Sequence, residues 1–80
     1  MAAIGQFVER TIDWQRAAGV NDAAFARALG RHKSEWSMVR AGLRQPSRAF
    51  VAAVLGTAPE PWKSALEKAH LADLTAAVPA

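Results

Sequence analysis

Apolar residues recur along this chain at helical intervals in five successive stretches. Ile4, Phe7, Val8, Thr11, Ile12 and Ala18 predict an amphipathic helix from Ile4 to about Ala18, its buried stripe widened by Trp14. Gly19 supplies a left-handed stop, after which Val20 can fold back on the helix end. Asn21 stands as the N-cap of a second helix, Asp22 to Leu29, with Asp22 at the positive end of its dipole. That helix should bury Phe25, Ala26 and Leu29, and Gly30 should close it with a positive φ. A third helix is expected from Lys33 or Ser34 to about Ala41, ended by Gly42. Trp36, Val39 and the stem of Arg40 share its inner side, while Lys33, Ser34, Ser37 and Met38 lie outward.

Pro46 stands where a first-turn proline opens a helix, predicting a fourth over Ser47 to Leu55. Ala49, Phe50, Val51, Ala52, Ala53, Val54 and Leu55 make it apolar nearly all round, so it should be the central, most buried helix, stopped by Gly56. Thr57-Ala58-Pro59-Glu60 has the spacing of a capping box ahead of a fifth helix, although Pro61 could instead mark its first turn. Trp62, Ala65, Leu66 and Ala69 form one stripe of that helix. Leu71, Leu74 and Val78 form a second, offset stripe that reads as core or as partner surface. The expectation is a compact all-α domain of five helices over residues 1–80, with its core at about 4–76.

Composition narrows the picture. The 80 residues are 51% hydrophobic and rich in alanine, so the core must come from close helix packing rather than bulk. Without cysteine there is no disulfide and no thiolate metal site, which fits a reducing cytoplasm. His32 and His70 stand without a matched ligand set, so no metal is expected. The start carries no basic segment followed by a long apolar run, and Ala49 to Leu55 is too short to cross a bilayer. A soluble cytoplasmic protein without membrane association is therefore expected.

Net charge is only +3, but its distribution is uneven. From Arg27 to Arg48, six basic residues stand against the single acid Glu35, a balance of +5, while the rest of the chain carries −2. The positive charge concentrates around the second and third helices and the turn between them, in the outline of a helix-turn-helix, a shape that lets one helix enter the DNA major groove.

These residues carry a resemblance. Phe25-Ala26 stands where the lambda-repressor-like helix-turn-helix family (XRE, Cro/CI-type) has its Leu-Ala pair, and Leu29-Gly30 matches its Leu-Gly at the turn. Trp36 takes the buried aliphatic position of the recognition helix, and Gly42 followed by Pro46 repeats the family's Gly-x-x-x-Pro connector. The chain resembles that family over roughly Phe7 to Leu74, with three departures. Asp22 replaces a phosphate-touching glutamine, Arg40 replaces a frequent glutamate, and Arg31 occupies a position normally apolar. Either the Arg31 stem packs and its head snorkels to the surface, or the turn is looser than usual.

The resemblance implies a sequence-specific DNA-binding transcriptional regulator, a repressor of bacterial or phage type, nucleoid-associated and working as a homodimer on double-stranded DNA. It implies that Lys33, Ser34, Glu35, Ser37 and Met38 read bases, and that Arg31, Arg40, Arg44 and Arg48 hold phosphates. Leu71, Leu74 and Val78 are the candidate dimer surface. No cofactor and no small-molecule ligand is expected. Ser34 or Ser37 with His32 and Asp22 supplies the letters of a catalytic triad, but no spacing orients a base onto a nucleophile, so no enzyme is expected. The alternative reading is a small helical module that docks on a regulator or a polymerase subunit. Asp22 and Glu35, standing where phosphates would lie, favour it.

Overall fold

The computed structural model describes residues 4–77, which form five α-helices and, among the described residues, no strand. They are α1 (Gln6–Ala18), α2 (Asp22–Ala28), α3 (Lys33–Arg40), α4 (Arg48–Thr57) and α5 (Trp62–Ala77). α1 packs chiefly on α5 and α2 chiefly on α3, so the first and last helices brace each other, and the α2–α3 pair shares one core with them.

Helix ends follow local chemistry, and several differ from the pattern-based expectation. α1 starts at Gln6 rather than Ile4, because its first N–H groups are claimed from elsewhere in the fold. The Asp73 carboxylate on α5 accepts from the backbone N–H of Gln6 at 3.0 Å and of Phe7 at 2.9 Å, and Ile4 is left exposed. Asn21 caps α2 as expected, its side chain accepting from Ala24 N–H at 2.9 Å. Between α2 and α3, Gly30 adopts φ 70°. Its N–H returns to the Arg27 carbonyl at 3.0 Å and that of Arg31 to the Ala26 carbonyl at 2.9 Å, the paired bonds of a Schellman motif. Gly42 closes α3 in the same way.

α4 departs most from expectation. Pro46 is not in its first turn: Ser47 is the N-cap, its hydroxyl accepting from Phe50 N–H at 3.1 Å, and Pro46 lies one residue further out. Gly56 does not stop the helix either. It runs on to Thr57 and ends at Ala58, whose extended conformation (φ −63°, ψ 131°) is the one imposed on a residue preceding proline. With Thr57 inside α4 the capping box cannot form, and the Glu60 carboxylate instead accepts from Ser64 N–H and Oγ–H. Nor is α4 buried all round. Phe50, Val51 and Val54 face the core, whereas Ala49 and Ala52 are exposed, because alanine methyls add little area and lie in water at small cost.

The centre of the core is Trp36 on α3. A run of aromatic rings crosses four helices through it: Trp14 to Phe25 (5.0 Å between centroids), Phe25 to Trp36 (5.2 Å), and Trp36 to Phe50 (5.7 Å, nearly parallel). Such contacts stabilise beyond area burial alone. α3 is therefore fixed on its inner side by large rigid groups from α2 and α4, and its outer side is left for other work.

Candidate functional site on the third helix

α3 spans eight residues and is capped by His32, whose Nδ1 accepts from Ser34 N–H at 3.3 Å and lies 2.8 Å from Ser34 Oγ. That last distance suits a base and a nucleophile, yet both side chains are exposed and the pair serves as a helix cap; among the described residues no carboxylate engages the ring. Trp36 and Val39 point inward. On the other side Lys33, Ser34 and Met38 are exposed and Ser37 is half-buried, so four of the five residues expected on the reading face come together there. Arg40 at the end of α3, Arg44 in the following loop and Arg48 at the start of α4 are all exposed.

Glu35 is the exception and corrects the expectation of a base-reading role. Only 7% of it is accessible. It stands one turn before the buried Val39 on the same side of the helix, so its stem follows the core and its charge is met there. Arg31 donates through Nε to Oε1 at 2.7 Å and through a second guanidinium nitrogen to Oε2 at 2.9 Å, and Ser47 Oγ lies 3.5 Å from Oε2. The Arg31 hydrogen bonds are the main reason the Glu35 carboxyl sits below the ordinary carboxylate range; the charges of Arg31 and Arg44 act in the same direction and burial opposes them. Arg31 is correspondingly raised. Two of its three guanidinium nitrogens are spent on Glu35, so the phosphate role expected of it is left with one.

Asp22, at the start of α2, is also occupied. It accepts from Gln15 Nε2 at 2.8 Å and from Ser37 Oγ at 3.4 Å, and Arg40 Nε lies 3.6 Å away. Gln15, Asp22 and Arg40 border a shallow depression of about 440 Å³, lined also by Asn21 and Lys33.

Gln15 is the residue that sequence reasoning missed. It is 5% exposed, and its amide serves three elements: Oε1 accepts from the Trp36 indole N–H at 2.9 Å, while Nε2 donates to Asp22 and to the Val20 carbonyl at 3.2 Å. Its position four residues after the buried Thr11 was the available signal.

On α5, Leu71 and Leu74 are 65% and 52% exposed, and Val78 lies outside the described residues. Among the described residues, no helix is long and apolar enough to cross a membrane, and no group of three His, Asp or Glu side chains is arranged to hold a metal ion. No family model matches the chain, and neither a curated protein nor a solved structure matches it.

Proposed function

We propose that the chain is a lambda-repressor-like helix-turn-helix protein, a transcriptional regulator that inserts α3 into the major groove of double-stranded DNA. The observation that carries this reading is the inward turn of Glu35 onto Arg31. It withdraws the only acid of α3, so the outward side presents Lys33, Ser34, Ser37 and Met38 with no exposed carboxylate of its own. Lysine donates to guanine O6 or N7, serine to most base edges, and methionine lies against a thymine methyl. Among the described residues Lys33, Arg44 and Arg48 enter no ion pair, which leaves their charge for phosphates. Asp22 and Glu35, the acids that favoured a protein-docking module, are both engaged by neighbouring side chains. The Ser34 and His32 pair is assigned to capping, and no catalysis is proposed.

Salt dependence tests the reading. Binding to duplex DNA through several phosphates should weaken by about 10³-fold or more between roughly 50 and 200 mM salt. Within that binding, Lys33→Ala should change the preference among sequences, whereas Arg44→Ala should weaken all sequences alike. Tight, salt-insensitive binding to a regulator or polymerase subunit, with no affinity for duplexes, would establish the docking module instead.

A further inference from the structure

The outward side of α3 is coupled to α1, a helix that adds no residue to that side. The coupling runs through one amide. Gln15 accepts from the Trp36 indole N–H with its oxygen, and with its nitrogen it donates to Asp22 Oδ1. Asp22 passes the connection back to α3, since its Oδ2 accepts from Ser37 Oγ–H and its Oδ1 is paired with Arg40. The two arms reach the same short helix at different depths: one holds Trp36 in the core, and the other meets Ser37 and the head of Arg40, which lies one turn after Trp36, where α3 comes to the surface. The inner bonds are short, at 2.8 and 2.9 Å, and the outer contacts longer, at 3.4 and 3.6 Å, so the link bears on how α3 is rotated about its own axis and on which lone pairs Ser37 offers. With its proton given to Asp22, the Ser37 oxygen faces a partner as an acceptor.

We infer that Gln15 is a positioning residue for the reading side of α3, acting through Trp36 and through Asp22, and that Asp22 thereby sets the base preference of Ser37. This rests on the DNA-binding reading. An amide suits the task because it offers an acceptor and a donor a fixed distance apart, matched to an indole N–H on one side and a carboxylate and a carbonyl on the other. A serine held as an acceptor prefers the amino groups of adenine or cytosine over the acceptor edge of guanine.

Two variants of the full chain test it, each compared with wild type at a temperature where circular dichroism shows the protein folded. The quantity read is discrimination, the affinity for a duplex obtained by binding selection divided by that for a scrambled duplex. Gln15→Glu keeps the shape but sets a second carboxylate against Asp22, with Arg16, Lys33 and Arg40 the cations lining the depressions beside Gln15. At neutral pH its discrimination should fall by about tenfold, the worth of one base contact, with the salt slope unchanged. It should recover on acidification, as the introduced carboxyl, once protonated, regains an O–H to donate to Asp22. Asp22 is only half-buried, so Asp22→Ala should fold; it severs the outer arm alone. It should raise affinity for any duplex by removing a negative charge, yet lower discrimination and relax the base opposite Ser37. A residue that merely supports the fold would lower the melting temperature and leave the discrimination of the folded molecules untouched. If both variants discriminate as wild type does, the inference is overturned while the DNA reading stands. A wild-type chain with no preference among duplexes overturns both, and that result is in hand before any variant is compared.

Discussion

Glu35 shows how one side chain can change the meaning of a surface. By its letter it is an acid in the middle of a helix expected to meet DNA; by its contacts it neutralises Arg31 and joins the turn, α3 and the cap of α4. Its carboxyl titrates below the usual range in the folded protein, chiefly because Arg31 donates to it. Above the ordinary carboxylate value the group is charged in both states and the pair stabilises the fold in full; as pH falls toward the lowered value the unfolded chain binds its proton first, and that contribution is lost. Urea melts across this range should find Glu35→Gln less stable than wild type at neutral pH, with the gap closing on acidification. The lowered Glu60 carboxyl is common to both proteins and cancels in the difference. A gap independent of pH would show that the pair contributes nothing through its charge. The inward turn of Glu35 was only half legible in the sequence. The i,i+4 spacing to Arg31 and to Val39 was there to read, but a charge counts as outward by default, and only the fork of Arg31 makes the inward position affordable.

Among the elements, α1, α2, α3 and α5 were legible in apolar periodicity, because each buries one stripe. The ends of α2 and α3 were legible in Asn21, Gly30 and Gly42, whose chemistry is local. The start of α1 was not, since its cap comes from a residue 67 positions away. Gly5 has no side chain to offer, and Asp73 takes the role. A methyl at Gly5 would lie 2.7 Å from Asp73 Oδ2, close enough to push the carboxylate off both N–H groups. Gly5→Ala and Asp73→Ala should therefore each destabilise by about 1 kcal/mol, the usual worth of a helix cap. The double variant should cost little more than either single one, because both remove the same pair of bonds. Additive losses in denaturant melts would mean that Gly5 acts through something other than Asp73. α4 misled for a different reason: seven consecutive apolar letters include three alanines, and a hydrophobic letter is not a buried surface.

At the scale of the whole molecule, one copy carries a single α3 in a body whose longest dimension is 39 Å. Reading two half-sites about 34 Å apart on one face of a duplex takes two reading helices, hence two copies related by a two-fold axis. If the proposed function holds, we place the seam between them on the exposed pair Leu71 and Leu74, three residues apart on α5, the part of the expected dimer surface that lies within the described residues. Both side chains already stand in water, so Leu71→Lys with Leu74→Lys should change stability by no more than about 0.5 kcal/mol each. The consequence for DNA is different. An isolated half-site sees one copy and should be bound as by wild type, while a full site gains from linked binding and should lose on the order of 10²-fold. Sedimentation of the free protein and titration of half and full sites separate the two effects. If the double variant stays monomeric and still fills a full site with wild-type affinity, α5 is not the seam, and pairing has to be sought on another surface.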